Sequence, residues 1–213
     1  MKTTQSVSIQ ALALTEKGSA NANMIQKVVS SQFQNIGLTV TEPNSHKNDL
    51  TFHVKCEERR SYVAMTKIGG DADRLGSPSR LWKGPACQLT YSLNGTQGNW
   101  RQEVRTPFED AWQEAKAKGA KDAGQYALAQ LSEVLKKDSF ILKLLAEWKQ
   151  EKRMAAILTS PESSRPTKKT IIRLSRNISG PIMLTALQQT MADPGLAPEA
   201  ARAMGFMEKA AAP

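Results

Sequence analysis

Two cysteines are the residues of this chain whose type and spacing bear most directly on chemistry. Cys56 lies in "LTFHVKCEE" and Cys87 in "CQLTYSL". Side chains of an extended strand alternate between faces, so Phe52, Val54 and Cys56 share one face, and Cys87, Leu89, Tyr91 and Leu93 share one face of another strand. Both thiols therefore point toward the expected core face of strands that can be neighbours. Two outcomes stay open. A Cys56–Cys87 disulfide would imply an oxidising compartment such as a bacterial periplasm; otherwise these are two buried, inert thiols. His53 stands three residues before Cys56, which sends the two to opposite faces of a strand. A Cys–His nucleophile needs hydrogen-bonding reach, so no such pair is expected. Structural zinc needs about four ligands, and two cysteines with His46 and His53 in this register are not expected to supply them.

Other signatures of catalysis are missing from the sequence. It contains no GxGxxG, no Walker-type GK[ST], no GxSxG and no HExxH. Asp71 and Asp73 form a "DAD" in a long loop but lack the further acidic positions and the glycine of an EF-hand loop. No helix start or placed lysine follows Gly69-Gly70, so a phosphate cradle is not expected there. Glu109 and Asp110 are read as carboxylates at the positive end of a helix, a structural role. The expectation is thus a protein with no catalytic residues, no metal and no cofactor. The competing enzyme reading makes the loop 69–84 a lid.

Charge points to partners. The formal net charge is +9 and the pI about 9.6, a balance that suits nucleic acid, an anionic surface or an acidic protein. Between Lys149 and Arg176 eight bases face two acids, a net of +6. Lys and Arg are ordinary surface residues, so a solvated face is the plain reading. The sharper one is a docking patch containing Lys152, Arg153, Lys168, Lys169, Arg173 and Arg176. The loop "GGDADRLGSPSRLWKGPA", with Arg74, Arg80 and Trp82, is a second candidate contact surface, because long loops inside compact domains are uncommon and often functional. No run approaches the roughly 18–20 apolar residues of a membrane-spanning helix. The N-terminal "ALAL" is too short for a signal h-region of roughly 7–15 residues, which leaves a cytoplasmic protein or one whose leader is absent from this chain.

The elements that position these groups fall into two halves. Val7, Ile9, Ala11 and Ala13 alternate as a strand, and apolar residues at helical spacing mark a helix over 21–35, ended by Gly37. Strands follow at Leu38, around 52–56, at "SYVAMTKI", and at "CQLTYSL" and "WRQEVRT", the last two flanking a turn in "NGTQGN". From Pro107 the period becomes helical. Thr106 is expected to cap a helix opened by Pro107, with Phe108, Ala111, Trp112 and Ala115 inward. Asp138 or Ser139 should cap the helix carrying Phe140 to Trp148. "TSPESSRPTKK" reads as a linker, followed by helices over 167–176, 182–191 and 198–207. The fold class is therefore α+β: a mixed or antiparallel sheet with a covering helix over 1–106, a helical segment packed on it over 107–160, and a helical hairpin region over 161–213.

The stretch "RLSRNISGPIMLTALQQTM" tests the partner question. A DNA-reading helix-turn-helix needs a second helix offering polar side chains to base edges. Here that helix carries Thr185, Gln188, Gln189 and Thr190 but no Lys or Arg; the bases sit on the first helix, where only phosphate contact is open to them. "TKKTIIRLSRNISGPIMLTALQQTMADPGLAPEAARAMGF" instead resembles HEAT-like helical repeats: a helix with Ile171, Ile172 and Leu174, a break, a helix with Leu184, Leu187 and Met191, then "ADP" and an Ala-rich helix. That resemblance covers about forty residues and implies paired helices that stack to bind another protein; a full solenoid takes roughly three or more repeats. The β-α-β-β order of the first half is similar in topology to small bacterial envelope assembly domains. The expected function is a non-enzymatic interaction or assembly protein of the bacterial envelope. Nucleic-acid binding through the basic stretch 149–176 is the alternative.

Overall fold

The structure is a computed structural model that describes residues 5–42, 50–58, 84–178 and 180–211. The turn at Pro43, the "SYVAMTKI" segment, and the loop residues Asp71, Asp73, Arg74, Arg80 and Trp82 lie outside the described residues. The fold is α+β, with a six-stranded mixed sheet and with helices through the C-terminal half. The chain divides into two compact units. One comprises Ser6–Gln32 and Thr39–Lys137; the other comprises Met1–Gln5, Phe33–Leu38 and Asp138–Pro213.

In the sheet unit the strands are β1 (Ser6–Thr15), β2 (Gly18–Ala20), β3 (Thr39–Thr41), β4 (Leu50–Glu57), β5 (Ala86–Leu93) and β6 (Thr96–Arg105). Their order is β2-β1-β4-β5-β6, with β3 also on β1. β1 runs parallel to β3 and β4, and β4-β5-β6 is an antiparallel meander. Alternation explains the layering. Val7, Ile9 and Ala13 of β1, Leu50, Phe52, Val54 and Cys56 of β4, and Cys87, Leu89 and Tyr91 of β5 are buried. Burying these faces supplies the hydrophobic driving force, about 25 cal/mol per Å². The β5–β6 turn is tighter than the six residues of "NGTQGN". Only Asn94 and Gly95 form it, both at positive φ (47° and 80°), the pairing that a two-residue hairpin matching the strand twist requires.

Helix α1 spans Asn23–Asn35, and Gly37, at φ 78°, ends it with Leu38 N–H donating to the Phe33 carbonyl. α2 is Ala111–Ala117 and α3 is Ala123–Lys137; α3 lies on β1, β4 and β6 and packs on α2. The start of α2 corrects the sequence expectation. Asp110, not Thr106, is the N-cap, and its Oδ1 accepts from Trp112 N (2.9 Å) and Gln113 N (3.0 Å). Thr106 turns its hydroxyl to the Phe108 carbonyl at 2.9 Å instead. The helix therefore begins four residues after Pro107, and Trp112 is exposed rather than inward.

The helical unit contains α4 (Phe140–Glu147), α5 (Glu151–Thr159), α6 (Arg165–Leu174), a 3-10 turn (Ser175–Asn177), α7 (Pro181–Thr190) and α8 (Ala197–Ala211). α4 packs on α5 and α6, α5 on α6 and α7, and α8 on α6 and α7. The seams are filled by Leu144, Leu145, Met154, Leu158, Ile171, Ile172, Met183, Leu187, Ala200 and Ala203. The linker is shorter than "TSPESSRPTKK" suggests: Ser164 caps α6 by accepting from Thr167 N at 3.3 Å, so Lys168 and Lys169 are helical. Gly205 does not close α8, which continues to Ala211. A helical glycine costs only about 1 kcal/mol, less than the packing of a long helix returns.

The break at Gly180-Pro181 has a tertiary cause. Gly180 caps α7 but has no side chain to accept from it. The Glu151 carboxylate, from the start of α5, takes that role, its Oε1 accepting from Met183 N at 2.8 Å. A Cβ on Gly180 would fall 2.3 Å from that oxygen. Glycine at this position makes the room that the carboxylate fills, and a negative charge at a helix N-terminus is stabilising.

Candidate functional site

Helical spacing places Arg165, Lys169 and Arg173 on one stripe of α6, continued by Arg176 in the 3-10 turn. The stripe runs beside α8 and the loop before it. Arg165 Nη2 donates to Asp193 Oδ1 at 3.0 Å and lies where a Cβ on Gly195 would reach within 2.6 Å of it. Lys169 Nζ donates to Glu199 Oε1 at 2.9 Å. That hydrogen bond, aided by the charges of Lys169, Arg173 and Arg202 against a smaller effect of burial, holds the Glu199 carboxyl below its usual pKa.

Beyond these pairs the stripe changes character. The Arg176 guanidinium sits 4.6 Å from the centroid of the Phe206 ring, a cation–π distance. Phe206 is nevertheless 53% exposed, and Arg173, Arg176 and Arg202 are exposed as well. The geometry thus sorts the basic residues. Arg165 and Lys169 are ion-paired within the unit, Arg176 lies over the exposed Phe206 ring, and Arg173 and Arg202 lie close enough to Glu199 to lower its pKa. Of the other residues expected to touch a partner, Lys168 is half-buried and lines a groove of about 350 Å³ with Leu158, Gln189 and Leu196. Lys152 and Arg153 lie on α5, Lys152 exposed and Arg153 half-buried. Arg74, Arg80 and Trp82 lie outside the described residues.

Sequence reasoning missed Arg202 and Phe206. Their spacing of four was the available signal, since it puts both on one helical face. The Ala-rich surroundings and Gly205 drew attention to the end of the helix instead.

In the sheet unit Cys56 and Cys87 are directly opposed across β4 and β5, with their sulfurs at disulfide distance, 1.99 Å, and both residues fully buried. His53 faces the other side of β4 and its Nε2 shares a hydrogen bond with Ser92 Oγ at 3.1 Å. Among the described residues no group of three or more His, Cys, Asp and Glu is placed to hold a metal ion, and no helix is long and apolar enough to cross a membrane. No protein-family model, no curated protein and no solved structure matches this chain.

Proposed function

We propose that this is a non-enzymatic interaction or assembly protein of the bacterial envelope, and that it docks an acidic partner protein on the face formed by Arg173, Arg176, Arg202 and Phe206. One observation carries the reading: Phe206 is held in the open beneath Arg176, and the exposed Arg202 stands four residues before Phe206 on its helix as the exposed Arg173 stands three before Arg176. Aromatic and Arg side chains are the residues enriched in the energetically dominant centres of protein interfaces. An exposed ring that already has a cation on one side supports a ready-formed anchor. The stacking of α4 to α8 supports a HEAT-like unit, and the Cys56–Cys87 pair is compatible with export into an oxidising compartment.

The test is site-specific photo-crosslinking from position 202 in the native cells, in the parent and in an Arg173→Glu/Arg176→Glu variant. Both substituted residues are exposed, so the variant should keep the parent's circular dichroism. The expected result is an adduct with an acidic protein, lost on charge reversal. An adduct that survives charge reversal would overturn the proposal. Tight binding of nucleic acid that weakens steeply with salt would instead favour phosphate recognition by the same arginines.

A further inference from the structure

The outer face of the meander, opposite the Cys56–Cys87 core, carries a second and independent feature. Strand register lines up rows of polar side chains across it. Gln10, His53, Thr90 and Arg101 form one row; Ser8, Thr51, Ser92 and Gln97 form another. Between Thr90 and Ser92 the β5–β6 register shifts, so that Gly98, Asn99 and Trp100 bulge out of the ladder. The shift has a visible cause on the core side: the Tyr91 ring occupies the place of a side chain on Gly98, where a Cβ would come within 2.3 Å of it. Bulges of this kind re-aim side chains and occur next to binding sites.

The result is a depression of about 390 Å³, within the roughly 300–1,000 Å³ range of small-molecule sites. It is lined by His53, Lys55, Gln88, Thr90, Gln97 and Arg101, with Gly98, Asn99 and Trp100 from the bulge. None of these is acidic, and Trp100 is the one aromatic carbocycle among otherwise polar groups. Lys55 is already ion-paired with Glu57. Arg101 has no carboxylate partner among the described residues, so it is the cation left for a ligand. A guanidinium receives a carboxylate through two parallel N–H bonds. Gln88, Gln97 and Asn99 each offer both donors and acceptors, and Thr90 a hydroxyl, which is what a ligand rich in hydroxyl groups needs.

We propose that this depression binds a small hydroxylated carboxylate of the acidic-sugar class, with its carboxylate on Arg101 and its hydroxyls on Gln88, Thr90, Gln97 and Asn99. The acidic sugar is either free or the terminal residue of an acidic polysaccharide; both present the same groups.

The test is titration of the full chain, followed by isothermal calorimetry and by backbone amide shifts, with D-glucuronate, a glucuronate-ended oligosaccharide, D-glucose and inorganic phosphate. Saturable binding of glucuronate is expected, with shifts centred on Gln88, Thr90 and Arg101. Glucose and phosphate should each bind at least about tenfold more weakly, the factor that loss of one good polar contact produces. Arg101→Gln should weaken glucuronate by a similar factor while the remaining amide spectrum is unchanged. Thr90→Val, a second variant of nearly equal shape, should also weaken it. Tighter binding of the oligosaccharide than of glucuronate assigns the site to the polymer end; equal binding assigns it to the free sugar. No saturable binding of either acidic saccharide, binding of phosphate as tight as glucuronate, or full binding by Arg101→Gln would overturn the proposal.

Discussion

Removing the Cys56–Cys87 cross-link should destabilise the sheet unit by an amount that its position in the chain allows to be worked out. The two residues are separated by 31 positions. In the chain-entropy treatment a closed loop of that length removes roughly 12 cal/mol/K from the unfolded ensemble, or about 3.7 kcal/mol at room temperature. The native register places the cysteines directly opposite each other in the β4–β5 ladder, so the bond closes a contact that the sheet makes anyway. The effect therefore belongs mainly to the unfolded state. A Cys56→Ala/Cys87→Ala variant should lose about 3–4 kcal/mol, plus a smaller packing loss because both side chains are fully buried. For a chain of this size that corresponds to a fall in melting temperature of roughly 7–15 °C. Urea unfolding of the oxidised parent, the reduced parent and the double variant measures it. The urea slope m should rise when the cross-link is absent, because the unfolded chain exposes more surface. Full burial also predicts that reductant opens the bond only as fast as the sheet unit unfolds. A loss under about 1 kcal/mol with an unchanged m would refute the unfolded-state argument.

Three further outcomes follow from single residues. Gly180→Ala should destabilise the helical unit by about 1–3 kcal/mol, because its methyl displaces the Glu151 carboxylate from the α7 N-terminus; Glu151→Ala should cost a comparable amount, and the two losses should not add, which a double-mutant cycle in urea detects. Lys149 ends α4 at φ 51°, with Gln150 N–H donating to the Leu145 carbonyl, the same arrangement that glycine serves at Gly37 and Gly119; Lys149→Gly should therefore raise stability by about 0.5–1 kcal/mol in thermal unfolding. Burial, with the Asp122 charge adding and Lys17 opposing, raises the Glu58 carboxyl above its usual pKa. The folded state then holds that proton more tightly than the unfolded one, so this contribution is present below the ordinary carboxylate pKa and lost as pH rises through the raised value. Glu58→Gln should stabilise the protein at neutral pH and reduce the pH dependence across that window, read as the shift in urea midpoint between acidic and neutral buffer.

What was legible in the sequence follows from how local each signal is. Strand faces were readable because alternation is a two-residue pattern: Phe52, Val54, Cys56, Cys87 and Leu89 all lie on the core face as their spacing requires. That Cys56 opposes Cys87 was not readable, since it depends on the register of two strands joined by a long connection. Gly37 was legible as a helix end because a left-handed residue is a local need, whereas Lys149 adopts the same conformation without the residue type that announces it. Thr106 and Asp110 are both good capping residues, and the choice between them rests on which side chain reaches free N–H groups. Gly180 and Gly195 read as loop glycines. Their roles depend on Glu151 and Arg165, 29 and 30 positions away, and appear only once the helices are stacked.

The same distinction decides how the basic stretch is to be understood. Counted along the chain, its bases form one patch of uniform charge. In the folded helical unit several of its charged groups are structural. Glu151 caps α7, Arg165 is seated against Gly195 and bound to Asp193, and Lys169 ties α6 to Glu199 of α8. Ion pairs near the surface, such as the last two, add little to stability, but they hold side chains in place and cancel their outward charge. On the proposed reading, the field offered to a partner is narrower than the sequence count suggests and is displaced toward the end of the stripe, where Arg173, Arg176 and Arg202 are exposed and Arg176 lies over Phe206. Exchanging Lys168 and Lys169 should then matter less to partner affinity than exchanging Arg173 and Arg176. The reverse order, measured on folded variants with the partner recovered by crosslinking, would return the interface to the middle of α6 and leave Phe206 without a role.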